Sequence, residues 1–223
     1  MKASDAKEAA ALLSPVLDAL LTSATDRASA EAADLRRQVG ALQASAETVI
    51  SNATLPAPLL ACFDAARGAG ATLDTMAAVR AIAVGAVASV NAAETVRQLC
   101  IRFCLIAEAR VLAGVTLTSR EDVDRLRDRF NAAFDPAEEF AADAMDSVNY
   151  KALVALHAAV IHDLVTRARP LPRIVNYRLA ETFPTLVIAN RLYGDAGRAD
   201  ELRAENKIIH PAFPPRAGRA LSA

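Results

Sequence analysis

Aromatic residues are scarce in this sequence. Seven Phe and three Tyr, with no Trp, make up 4% of 223 residues, which excludes a core built on large rings. Hydrophobic residues nevertheless reach 53%. Much of that is alanine, which buries little area per side chain and lets helices approach closely. Such a core rests on many shallow contacts, and its surplus of thin apolar faces is expected to be covered by another protein. Cysteine is rarer still. Cys62, Cys100 and Cys104 are odd in number and lack ligand spacing, so neither a disulfide framework nor a zinc pattern can be read. Cys100 and Cys104, four apart, share one face of an expected helix and read as small buried hydrophobes. Long apolar runs are also missing. The longest, residues 81–90, is too short and too alanine-rich to cross a bilayer, so no membrane partner is expected. Met1-Lys2-Ala3-Ser4-Asp5 has no basic-then-apolar leader pattern. The chain is therefore expected to be made and kept in the cytoplasm, or to leave it by a route other than secretion.

Catalytic constellations are absent too. His157 and His162 are five apart, which puts them on different helix faces and argues against a shared metal. No serine sits in a G-x-S-x-G setting, and no glycine loop cradles phosphate. Asp135, Glu138, Glu139, Asp143 and Asp146 form an acidic run that reads as the dipole-favoured start of a helix. No enzymatic activity, cofactor or metal is expected.

What is present is helix, then a change of pattern. Net charge is −1, unevenly divided: residues 167–223 carry ten Lys/Arg against five Asp/Glu, and residues 1–166 carry fifteen against twenty-one. Residues 4–22 place Leu12, Leu13, Val16, Leu17, Leu20 and Leu21 at helical spacing, with Pro15 expected to kink the helix or open a new turn. Residues 25–51 carry Leu35, Val39, Leu42, Ala46 and Val49 on one stripe. Leu55-Pro56-Ala57-Pro58 reads as a linker before a short helix that ends at Gly68. Residues 73–112 read as one long helix, or two joined near Val90-Asn91. Thr118-Ser119-Arg120-Glu121 reads as a capping box in which Thr118 accepts from the residue 121 amide. Asp135-Pro136-Ala137-Glu138 repeats the device, with Asp135 as N-cap of a last bundle helix reaching about residue 168. That helix is expected to turn Phe140, Met145, Val148, Leu153, Leu156, Val160, Ile161 and Leu164 inward.

Arg169-Pro170-Leu171-Pro172 marks the clearest boundary. It separates an alanine-rich helical bundle (1–168) from a small module (169–223) with an extended tail, in a chain that is mainly α. Residues 173–179 alternate and read as a strand. An apolar helix then stops at Tyr193-Gly194-Asp195, where Gly194 supplies a left-handed turn and Asp195 caps the next helix. Arg198 and Asp200 are placed to face one another, Asn206 permits a second turn, and His210-Pro211 leads to an extended end. The order is β-α-α-β in about fifty residues, too small to bury much alone. The loop at Tyr193, Gly194 and Asp195 and the segment from Asn206 to His210 are expected to lie close together. Tyr193, Gly194, Asp195, Arg198, Asn206, His210 and Phe213 are the candidate protein-interaction residues.

This tail, with Tyr193-Gly194-Asp195, Arg198 to Leu202, Asn206, Ile208, Pro211 and Phe213, is similar to the LysM module. That module has a βααβ fold, binds peptidoglycan or chitin, and also serves as an adaptor in contractile-tail baseplates. More closely, residues from about 119 to 215 resemble the carboxy-terminal part of the Mu-like phage DNA circularisation (circulation) protein family. The matching pieces are Thr118-Ser119-Arg120-Glu121, residues 150–156, residues 164–167, residues 191–202 and Ile209-His210-Pro211-Ala212-Phe213. Two departures accompany the match. The family's amino-terminal domain is not in this chain, which suggests a divided or shortened version. A Gly-Asp-Thr-like opening turn of sugar-binding LysM modules is replaced by Leu179-Ala180-Glu181-Thr182-Phe183.

The resemblance implies a structural, baseplate or hub component of a contractile phage-like tail, incorporated into a virion or phage-tail-like particle after synthesis in the bacterial cytoplasm. Its partners would be other tail proteins (hub, tube and sheath-proximal subunits), with roughly three or six copies in a ring. Two alternatives remain at this point. One is peptidoglycan binding through the LysM-like module. The other is non-specific DNA binding through Arg167, Arg169, Arg173, Arg178, Arg191, Arg198 and Arg203, although arginines spread over several faces make nucleic acid the less expected partner.

Overall fold

The computed structural model describes residues 1–222. Among these it is mainly helical, with nine α-helices and one two-stranded antiparallel sheet. Two compact units are present: residues 1–115 with 132–158, and residues 116–131 with the chain from 159 onward.

The first unit contains α1 (Ala3–Thr22), α2 (Ala30–Ser51), α3 (Pro56–Gly68), α4 (Leu73–Gly85) and α5 (Asn91–Leu112). To these it adds the second half of α6 (Arg120–Asp143) and the first half of α7 (Ser147–Ala168). α1 supplies the axis of this core, because Ala6, Ala9, Leu12, Leu13, Val16, Leu17 and Leu20 are all buried. It runs unbroken through Pro15, which lies on its exposed side. Packing of that stripe outweighs the backbone bond that proline cannot make. α2 begins later than its apolar spacing suggests, because Ser29 accepts from the Ala32 amide and sets the N-cap there.

Leu55-Pro56-Ala57-Pro58 is not a linker. Both prolines lie in the first turn of α3, where no intrahelical amide bond is required. The stretch at 73–112 is two helices, separated at residues 86–90. Glu8 of α1 accepts from the Ser89 amide at 2.8 Å and from its hydroxyl at 2.6 Å. The Ser89 hydroxyl, then its amide, hold the Glu8 carboxyl below the ordinary carboxylate range.

The start of α6 also differs from the expectation. Ser119, not Thr118, accepts the capping bond, from Asp122. Thr118 donates to the Asp122 carboxylate at 2.7 Å. Glu121 accepts from the Ile174 amide at 2.9 Å instead of reaching back. Asp135-Pro136 opens no new helix, since α6 continues through Pro136 to Asp143. The buried stripe Phe130, Ala133, Phe134, Ala137 and Ala141 crosses the proline and holds the helix together. The turn comes at 144–146, with Met145 left-handed at φ 54°. Asp146 then accepts from the Asn149 amide and caps α7. This later turn resets the helical phase, so Met145 and Val148 point to solvent rather than inward, at 91% and 77% exposure. Leu153, Val160 and Leu164 are buried as expected.

All three cysteines are buried. Burial alone pushes the Cys62 thiol up to about 11 and the Cys100 thiol up to about 12, and burial is the first of several causes that raise Cys104. A neutral disulfide reagent at pH 8 is therefore expected to leave the folded chain unmodified. All three thiols should react at least about 100-fold faster once guanidinium unfolds it. Rapid labelling of native protein would show that these helices do not enclose them.

In the second unit, β1 (Ile174–Arg178) pairs antiparallel with β2 (Ala217–Leu221), in register Ile174 to Leu221 through Arg178 to Ala217. Between the strands lie α8 (Thr185–Tyr193), a 3-10 turn at Ala196–Arg198, and α9 (Ala199–Glu205). Their small core is Tyr177, Ile188, Leu202 and Ala220, flanked by Leu179, Phe183 and Tyr193. No helix among the described residues is long and apolar enough to cross a membrane.

Candidate functional site

The β-α-α-β segment is held from both ends. At its entry, the first two residues of α6 fasten the chain before β1. The Arg120 amide donates to Pro172 O at 3.0 Å, and its guanidinium donates to Leu171 O at 2.8 Å and Arg169 O at 3.2 Å. With the Glu121 bond to Ile174, this fixes where the strand starts. At its exit, the Leu179 amide donates to Arg216 O at 2.7 Å and the Ser222 amide to Arg173 O at 2.6 Å.

The seven candidate residues fall into three places. Tyr193 closes α8 and packs on the small core. The Arg198 guanidinium lies over its ring at 3.9 Å and is itself held by Glu201, with Nη2 to Oε1 at 2.6 Å. Burial, then the Glu201 charge, raise the Tyr193 hydroxyl above its usual range. Gly194 stops α8 at φ 71°, the left-handed region glycine adopts without steric cost. Asp195 accepts from the Gly197 amide at 2.7 Å. Arg198 thus faces Glu201, three residues on, while Asp200 pairs with Arg203 at 2.8 Å. Side chains two apart on a helix diverge, and those three apart meet.

Asn206 forms the second place. Its side-chain amide donates to Leu202 O at 2.9 Å and Arg219 O at 2.6 Å, while its Oδ1 accepts from the Arg219 amide at 2.7 Å. One side chain therefore ends α9 and pairs with β2 as a neighbouring strand would. Gly218 belongs to the same arrangement. A Cβ there would crowd Asn206 Oδ1 and stand 2.7 Å from the Tyr177 hydroxyl.

His210 and Phe213 form the third, with ring centroids 5.2 Å apart on the loop between α9 and β2. The Thr185 amide donates to Pro211 O at 2.8 Å and ties this loop to the start of α8. Phe213 is 75% exposed, Ile209 96% and Leu186 60%. Among the described residues, no hydrogen bond, ion pair or ring contact joins Tyr193, Gly194 and Asp195 to the 206–210 segment. Arg120, Glu121, Ile209 and Leu186 were not among the candidate interaction residues read from sequence. Only the capping pattern at 118–121 signalled the first two.

No protein-family model and no curated protein matches this chain at a significant level.

In the helical unit, Asp135, Glu138 and His157 present three possible ligand atoms within 4.8 Å of one another. A groove of about 340 Å³ lies elsewhere in that unit, lined by Ile50, Leu55, Pro56, Val96 and Leu99 among others.

Proposed function

We propose that this chain is a structural component of a contractile phage-like tail, at the baseplate or hub. Its small carboxy-terminal unit is LysM-like and clamps neighbouring subunits. The supporting observation is the loop between α9 and β2, where Ile209 and Phe213 stand in solvent beside the start of α8. Large apolar side chains displayed on so small a unit are costly to leave wet and suit a protein surface. Part of the unit's positive charge is already engaged: Arg198, Arg203 and Arg219 pair with Glu201, Asp200 and Glu205. Those three arginines serve the unit's own packing, which favours a protein partner over nucleic acid. The partners in this reading are hub, tube and sheath-proximal proteins, and several copies sit in a ring.

Quantitative mass spectrometry of purified tail particles tests the reading. The chain is expected at a small fixed number per particle. Phe213→Asp with Ile209→Asp is expected to lower incorporation at least about tenfold, without altering the amide protection of 217–221. Absence of the unaltered chain from intact particles would overturn the proposal.

A further inference from the structure

We propose that Asp135, Glu138 and His157 form a binding site for a divalent cation of the zinc and manganese class, clipping α7 to α6 within the helical unit. Asp135 and Glu138 are three apart on α6 and so emerge on neighbouring positions of one face. His157 comes from α7, with Nδ1 2.9 Å from Glu138 Oε1. Its ring lies flat on Phe134, centroids 4.8 Å apart and planes 10° from parallel. Phe134 is fully buried, so the imidazole plane is set before any cation arrives.

The ligand atoms are already gathered. All three lie within 4.8 Å of one another, and a cation held at about 2.1 Å draws its ligands to roughly 3–4 Å apart. Small side-chain rotations close that difference. The donor chemistry selects the ion: two carboxylates and one imidazole suit zinc, manganese, cobalt or iron(II), whereas calcium and magnesium favour oxygen alone. Local charge favours a cation as well. No Lys or Arg occurs between Arg129 and Lys151, while Asp135, Glu138, Glu139, Asp143 and Asp146 all fall in that interval. Of these, Asp146 is engaged by Arg102 at 3.3 Å. Three protein ligands leave coordination positions open to water or to a carboxylate from a partner. This site stands apart from the tail assignment, and its failure would leave that assignment untouched.

The test uses the full chain freed of metal by a chelator, titrated with zinc sulfate and manganese chloride by isothermal calorimetry. Cobalt(II) absorption in the visible gives a second readout. One ion per chain is expected, with a rise in melting temperature. Asp135→Asn and His157→Gln are each expected to weaken binding by roughly 100-fold. His162→Gln with His210→Gln should leave it unchanged. Asp135 is exposed, so its variant decides the matter even if His157→Gln folds poorly. Absence of binding by all three cations at millimolar concentration would overturn the proposal, as would equal binding by Asp135→Asn.

Discussion

Asn206→Ala is expected to open the carboxy-terminal sheet. It removes three hydrogen bonds at once: one to the end of α9 and two to the Arg219 backbone. Asn206 is only half-buried, so water replaces part of what is lost. A net cost of about 2–3 kcal/mol follows from typical hydrogen-bond contributions. The cluster beneath the sheet rests on four buried residues, Tyr177, Ile188, Leu202 and Ala220, so that loss is a large share of its stability. Asn206→Asp should be no milder, because it turns an acceptor toward the Leu202 and Arg219 carbonyls where an amide now donates. Hydrogen exchange resolved to peptides is the measurement. Amides of 217–221 should lose about 30-fold or more of their protection, while α1 to α5 keep theirs. Unchanged protection in β2 would mean that the strand is held by its pairing with β1 alone.

The same residue shows where sequence reading reaches and where it stops. Asn206 is legible as a turn residue because turn chemistry is local. Its bond to β2 is not, because Arg219 lies thirteen residues away and Ala217-Gly218-Arg219-Ala220-Leu221 carries no β-branched or aromatic signal. β1 is legible, since Ile174, Val175, Tyr177 and Leu179 alternate, and Tyr177 does enter the small core. Gly194 and Asp195 behave as local rules require, one as a left-handed stop and the other as an acceptor at the next turn.

The misreadings at the prolines share one physical cause: a local signal outweighed by packing. Asp135-Pro136 has the form of a helix start, yet the buried stripe from Phe130 to Ala141 runs straight through it. Placing the turn there rather than at 144–146 shifted the phase of α7 and turned Met145 and Val148 the wrong way. The same error hid His157 from Glu138, because their meeting depends on where the hairpin turns. The Pro56 and Pro58 misreading is of the same kind, with Leu59, Cys62 and Phe63 buried immediately behind them.

Arg80→Ala is expected to have the largest effect on stability. Glu108 sits in the last turns of α5 with no solvent exposure, and Arg80 of α4 donates to its Oε1 from Nε at 2.7 Å. Cys104, one turn before Glu108, feels both charges: its thiol is raised first by burial, then by Cys100 and Glu108, while Arg80 opposes them. Removing the guanidinium takes a close charge partner from a carboxylate held in this low-dielectric layer, at a cost of about 3–5 kcal/mol. Taking both charges out together is different. Arg80→Leu with Glu108→Leu restores apolar contact between α4 and α5 and removes the desolvation penalty on both groups. The double variant should therefore lie within about 1 kcal/mol of the unaltered chain. Guanidinium unfolding followed by far-ultraviolet circular dichroism measures this, since the chain has no Trp to report by fluorescence. The decisive comparison is within the cycle. If the double variant is as unstable as Arg80→Ala, the pair is a true source of stability. If it recovers, the pair's contribution is to register, holding α4 against α5 in one alignment where alanine-rich faces alone would let the helices slide.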